Sequence, residues 1–75
     1  MNDRVAPELL RQTLLSYLTR ASRSLTTAQL REHTEEHFRQ PIVIETIYRS
    51  LTVLERRGDV KRHNISGRHA HWVRS

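Results

Sequence analysis

Three segments with helical periodicity are followed by two short alternating segments, and this order restricts the fold more than any other feature of the sequence. Proline at a first helical position and a leucine at every fourth residue predict a first helix over about 7–21. A capping-box pattern predicts a second helix over about 27–38, which ends before Pro41. Apolar spacing followed by Gly58 predicts a third helix over about 44–57.

The two alternating segments predict a β-hairpin over residues 60–64 and 69–74, with Ser66-Gly67 as its turn. Residues 22–25 form either an irregular segment or a brief strand. Three helices and a hairpin within 75 residues describe a winged helix-turn-helix, a mainly α (α+β) fold with a two-stranded wing, as one domain over 1–75. The residues expected to face the core on the second and third helices are Ala28, Leu30, Thr34, Ile47, Leu51 and Leu54.

The chain is basic, with 13 lysines and arginines against 8 acidic residues and a net charge of +5. All but Lys61 of these cations are arginines, whose forked guanidinium suits phosphates and base edges. This charge favours a polyanionic partner, usually nucleic acid and sometimes a membrane surface. The absence of cysteine excludes disulfides, Cys-ligated zinc and thiol nucleophiles. No apolar run approaches the ~20 residues of a membrane helix, so we expect a cytoplasmic protein, associated with the nucleoid in a bacterium.

The run Thr46-Ile47-Tyr48-Arg49-Ser50-Leu51, followed by Gly58 and Lys61-Arg62-His63-Asn64, resembles the DNA-binding half of the ferric uptake regulator family. That family's recognition helix carries a T-V-Y-R-x-L core, followed by a glycine and a strand that ends in R-H. Ser66-Gly67-Arg68, with Trp72 at an aromatic position, resembles its wing. The resemblance implies a DNA-binding winged helix.

Two departures from the family pattern lie at the start of the third helix. Val43 stands where the family commonly has a small or hydroxyl residue, and Glu45 stands where it has alanine or a similar residue. The family also has a second domain that dimerises and holds regulatory metal. We expect the chain to end after the wing without that domain, and therefore to need no cofactor.

The candidate DNA-binding residues lie on the third helix, at the wing and at the start of the second helix. A recognition helix enters the major groove with its N-terminal residues at the bases. Arg49 suits guanine O6 and N7, while Tyr48 suits a phosphate or a thymine methyl. Glu45 either accepts from cytosine N4 or complements the helix dipole. Thr27 is a candidate because the exposed amides at a helix start can bind a phosphate, although the residue could also serve only to cap the helix. The full set is Thr46, Tyr48, Arg49, Thr52, Arg62, His63, Arg68 and Thr27.

Two histidine patterns raise the alternative of a metal site. Residues 33–37 match the H-x-x-E-H pattern of zinc peptidases. His63, His69 and His71 are a second candidate zinc set, since imidazoles are zinc ligands. The chain is too short for a substrate cleft, so we expect no enzyme. We interpret residues 33–37 as a solvated helix end and the other three histidines as surface or phosphate-facing residues.

The sequence therefore predicts a small transcriptional regulator that binds double-stranded DNA sequence-specifically. One winged helix covers only a half-site, so a homodimer or a partner regulator is expected. The alternative is a winged helix that serves as a protein-interaction adaptor in a regulatory complex, which Val43 and Glu45 would favour.

Overall fold

The computed structural model describes residues 4–63 and 69–75 and shows a winged helix with three helices and a three-stranded antiparallel sheet. The predicted turn Ser66-Gly67 lies outside the described residues. No helix in the described ranges is long and apolar enough to cross a membrane. The elements are α1 (Pro7–Arg20), β1 (Leu25–Thr26), α2 (Thr27–Phe38), α3 (Ile44–Arg56), β2 (Val60–His63) and β3 (His71–Arg74).

The sheet has β3 at its centre, with β1 on one side and β2 on the other. Trp72 is the Cα partner of Leu25 in β1 and of Arg62 in β2. We call β2, β3 and the segment between them the wing. The structure adds β1 to the predicted two-stranded wing. Of residues 22–25, which were expected to be irregular or a brief strand, only Leu25 belongs to a strand, together with Thr26. A strand of two residues is too short to show an alternating pattern.

Local signals in the sequence set the helix ends. The capping box of α2 is confirmed, since the Gln29 amide donates to Thr26 Oγ1 at 3.0 Å and the Thr26 amide donates to Gln29 Oε1 at 2.9 Å. Gly58 follows α3 with a φ of 83°, a left-handed conformation that glycine adopts without strain. The chain can therefore turn from α3 into β2.

The core lies between the three helices and the inner face of the sheet, and Trp72 is fully buried in it. The predicted inward residues of α2 and α3 are buried, with one exception. Ala28 is exposed, because it lies two residues before Leu30 and thus about 200° around the helix from the buried face. The buried apolar residues are Leu10, Leu14, Leu18, Leu30, Ile42, Ile47, Leu51, Leu54, Val60 and Trp72.

Glu8 joins the first turn of α1 to the end of α3. Its carboxylate accepts hydrogen bonds from Arg11 at 2.8 Å, Gln12 at 3.0 Å and Arg57 at 3.3 Å. The hydrogen bond from Gln12, followed by those from Arg11 and Arg57, lowers the pKa of Glu8 from 4.5 to about 2. Glu8 is therefore charged in the folded protein at pH values where it is protonated in the unfolded chain.

The pH dependence of stability should reveal this link. A folded pKa below the unfolded one gives a stabilisation that is complete above about pH 4.5 and is lost as the pH falls towards 2. We therefore expect wild type to be more stable than Glu8→Gln at pH 6, with the difference disappearing towards pH 2. Urea unfolding of both proteins across this range measures the difference. A gap that stays constant with pH would show that the Glu8 charge does not contribute.

Candidate nucleic-acid interface

Helix α3 has a buried side and an outward side. Ile47, Ser50, Leu51 and Leu54 lie on the buried side. The outward side carries four residues at spacings of four, three and four positions, which places them in one row along a helix. We call this row the outer stripe; it consists of Glu45, Arg49, Thr52 and Arg56, of which Thr52 is half-buried and the others are exposed.

Arg49 occupies the middle of the outer stripe. Its side chain is exposed and has no hydrogen bond or ion pair with another residue in the described ranges. None of the described residues therefore occupies any of the five N–H donors of its guanidinium group, and all five can bind a ligand. The Thr52 hydroxyl donates to the Tyr48 carbonyl at 2.9 Å and keeps its lone pairs for a ligand. Thr46 is exposed on one flank of the stripe, and Tyr48, 40% exposed, lies on the other.

Tyr48, Arg62 and Trp72 pack together and join α3 to the wing. The Arg62 guanidinium lies 5.1 Å from the centroid of each ring, and the rings meet edge to face at 5.9 Å. Arg62 also donates a hydrogen bond to the Tyr48 hydroxyl. We call these three residues the aromatic clamp. Sequence reasoning treated Tyr48 and Arg62 as separate DNA contacts, whereas in the structure they contact each other.

Replacing Arg62 should loosen the aromatic clamp. Trp72 is the only tryptophan, so its emission reports directly on the group above its ring. We expect Arg62→Ala to change that emission and to lower the free energy of unfolding by about 1 kcal/mol, a typical cation–π contribution. Arg62→Lys is the matched control, because it keeps the charge without the planar group. Emission and urea midpoint unchanged in Arg62→Ala would contradict the clamp.

Thr27 lies at the junction of α2 and β3. Its hydroxyl accepts the Trp72 indole N–H at 2.9 Å, and its amide donates to the Ala70 carbonyl at 3.3 Å. The Thr26 amide is likewise bound, to Gln29. The exposed amides expected for phosphate binding are therefore engaged inside the protein. The hydroxyl proton of Thr27 remains available as a donor to a phosphate.

A groove of about 410 Å³ separates the first turn of α2 from the first turn of α3. Beside it, Val43 is 66% exposed and Ile44 39% exposed, although both are apolar. Val43 also provides no side-chain cap for α3. The groove is lined by Thr26, Thr27, Ala28, Ile44, Glu45, Tyr48, His69 and Ala70.

The candidate zinc histidines of the wing do not form a ligand set. No group of three His, Asp or Glu side chains suited to a metal ion occurs within residues 4–63 and 69–75. His63 is exposed and is the Cα partner of His71. His71 Nδ1 lies 3.4 Å from the Ser24 hydroxyl of the segment before β1. Arg68, the other wing candidate, falls outside the described residues.

The H-x-x-E-H histidines of α2 pack on one aromatic ring of α1. His33 stacks on Tyr17 with ring centroids 4.9 Å apart, and His37 meets the same ring edge-on at 6.2 Å. Their spacing of four residues places both on one helix face. That face contacts α1, so packing between the two helices explains the two histidines of the H-x-x-E-H pattern.

Sequence reasoning missed two features of this surface. Arg56 is not among the predicted DNA-binding residues, but it ends the outer stripe, and its spacing of seven residues from Arg49 is the signal that identifies it. The aromatic clamp has no comparable signal, because the pairing of Arg62 with Trp72 depends on strand register.

Comparison with known proteins identifies relatives of this fold. Residues 5–75 match the ferric uptake regulator family. The structure resembles a crystal structure of the Vibrio cholerae ferric uptake regulator that reveals structural rearrangement of the DNA-binding domains, with a TM-score of 0.70 and 22% identity. The match covers 96% of this chain and 53% of that chain, so the present chain spans about half of that regulator's length. No curated protein sequence matches the chain.

Proposed function

The chain belongs to the ferric uptake regulator family, and we propose that it is a DNA-binding transcriptional regulator that reads double-stranded DNA in the major groove with α3. One observation carries this proposal: the outer stripe presents Arg49, exposed and without a partner among the described residues, in the middle of the helix. An arginine in this position can bind guanine O6 and N7 with two parallel hydrogen bonds. Thr46, Tyr48 and Thr52 surround it and supply hydroxyl groups.

The wing is proposed to contact the DNA backbone or the minor groove. Arg62 uses one N–H donor on Tyr48 and keeps others for a phosphate oxygen. His63 is the next residue of β2 and is exposed, and Arg68 lies five residues further along the sequence. The Thr27 hydroxyl adds a phosphate contact at the start of α2. These contacts would fix the orientation of α3 without reading sequence.

A single winged helix covers one half-site, so we propose that the working form is a homodimer or a complex with a partner regulator. Two modules on one face of the duplex would bind half-sites about one helical turn apart. This arrangement would explain how so small a module reaches useful specificity.

Fluorescence anisotropy with a labelled random-sequence duplex tests DNA binding itself. We expect affinity to fall linearly in a log–log plot against salt, by at least about tenfold between roughly 50 and 200 mM, because phosphate contacts release counterions. The same titration with a single strand of equal length is the control, and we expect weaker binding there. Failure to bind the duplex at low salt would refute the proposal.

A protein-interaction adaptor is the second candidate function, favoured by the exposure of Val43 and Ile44 beside the groove. Large apolar side chains at a surface often mark protein contacts. This function predicts no binding to duplex DNA at low salt, so the anisotropy titration separates the two candidates.

A further inference from the structure

We propose that Glu45 is a specificity-determining residue that selects a cytosine in the DNA half-site, next to the guanine that Arg49 reads. This inference rests on the proposed DNA-binding function and extends it to a particular base. Arg49 supplies donors to the base edges, and Glu45 supplies acceptors from the same row of side chains. The two residues together would recognise a G·C-containing step by complementary chemistry.

The position of Glu45 supports a role in contact with bases. It is the first residue of the outer stripe and precedes Arg49 by four positions, so the two side chains are neighbours on one face of α3. A recognition helix places its N-terminal residues nearest the base edges. Glu45 also forms part of the wall of the 410 Å³ groove, beside Ile44 and Tyr48.

The Glu45 side chain has no partner within the described residues, unlike those of Glu8 and Glu35. Glu8 is bound by Arg11 and Arg57, and Glu35 accepts the Ile42 amide at 2.8 Å. The Glu45 side chain is exposed and makes no hydrogen bond or ion pair with residues 4–63 or 69–75, including the side chain of Arg49. Both of its oxygens are therefore available to a ligand, and Arg49 is not neutralised by it.

The chemistry of a carboxylate restricts what Glu45 can bind in the major groove. An ionised carboxylate only accepts hydrogen bonds, and cytosine N4 presents a donor at the groove edge. Guanine O6 and N7 and thymine O4 are acceptors and would repel it. Adenine N6 is also a donor, but it lies beside the N7 acceptor, so cytosine is the base whose donor has no acceptor next to it on the same base edge. Phosphates would repel it as well, so Glu45 would weaken binding to unrelated sequences while it selects the correct one.

A structural role for Glu45 makes a different prediction. A carboxylate in the first turn of a helix stabilises the helix dipole by about 0.3–1 kcal/mol. If that were its only role, removal of the charge would lower stability and leave base selection unchanged. Stability and base selection must therefore both be measured on each variant.

The test is selection of binding sites from a pool of random duplexes by wild type, Glu45→Ala and Glu55→Ala. Glu55 is the matched control, because it is an exposed carboxylate on the same helix outside the outer stripe. We expect wild type and Glu55→Ala to select the same site with one fixed cytosine. Glu45→Ala should select that site with this position relaxed, and circular dichroism should confirm that all three proteins are folded.

Titration of the selected duplex gives the size of the effect. Changing the cytosine to thymine should weaken wild-type binding by roughly five- to a hundredfold and Glu45→Ala binding by less than about twofold. Selection of the same fixed cytosine by Glu45→Ala, or of another base at the Glu45-dependent position, would overturn the inference. If wild type binds no duplex, the proposed function itself fails; if wild type selects a site that Glu45→Ala shares unchanged, only the role of Glu45 fails.

Discussion

Replacement of Trp72 by alanine should lower the free energy of unfolding by about 3–5 kcal/mol. Trp72 is fully buried, forms part of the central strand and contacts both Tyr48 and Arg62. A chain of this length has a total stability of roughly 4–11 kcal/mol. The variant should therefore lose at least about a quarter of its stability and unfold at a much lower temperature than wild type, as followed by far-ultraviolet circular dichroism during thermal unfolding.

Trp72→Phe is the matched control for this substitution. Phenylalanine keeps an aromatic ring in the core but removes the indole N–H that donates to Thr27 Oγ1 at 2.9 Å. We expect a smaller loss, about 1–3 kcal/mol, from the lost hydrogen bond and the smaller ring. A loss below about 1 kcal/mol in Trp72→Ala would contradict the view that the sheet belongs to the core.

Replacement of Arg49 by alanine should reduce affinity for a selected duplex by roughly ten- to a hundredfold, since a bidentate arginine–guanine contact gives about 1–3 kcal/mol of discrimination. Stability should change little, because Arg49 is exposed and has no partner within the described ranges. Anisotropy titrations with the selected duplex and a scrambled duplex measure both affinity and discrimination.

Arg56→Ala provides the comparison for Arg49. Arg56 is exposed at the far end of the outer stripe, where we expect the helix to leave the major groove. Its loss should weaken binding to selected and scrambled duplexes alike, as expected for a phosphate contact. Equal losses of discrimination in the two variants would show that Arg49 does not read a base.

The helices and their ends could be predicted because their signals are local. The Thr26–Gln29 capping box, the proline of α1 and Gly58 after α3 each act within a few residues. The outer stripe could also be predicted, because helical periodicity alone places Arg49 opposite the buried residues of α3.

The pairing of β1 with β3 and the aromatic clamp could not be predicted, because they depend on contacts between distant segments. Strand β1 has two residues and owes its existence to pairing with β3. The clamp requires Arg62 to lie opposite Trp72, and a one-residue change of register would turn these side chains to opposite faces. The hydrogen bond from the Trp72 indole to the Thr27 hydroxyl likewise joins β3 to the distant start of α2.

The proposal that α3 reads the major groove is tested most directly by following the backbone amides of the 8.9 kDa chain by nuclear magnetic resonance while duplex DNA is added. We predict that the largest chemical-shift changes occur along α3, around Thr46, Arg49 and Thr52, with smaller changes in β2 and β3. Changes confined to α1, or an unchanged spectrum at low salt with excess duplex, would contradict the proposal.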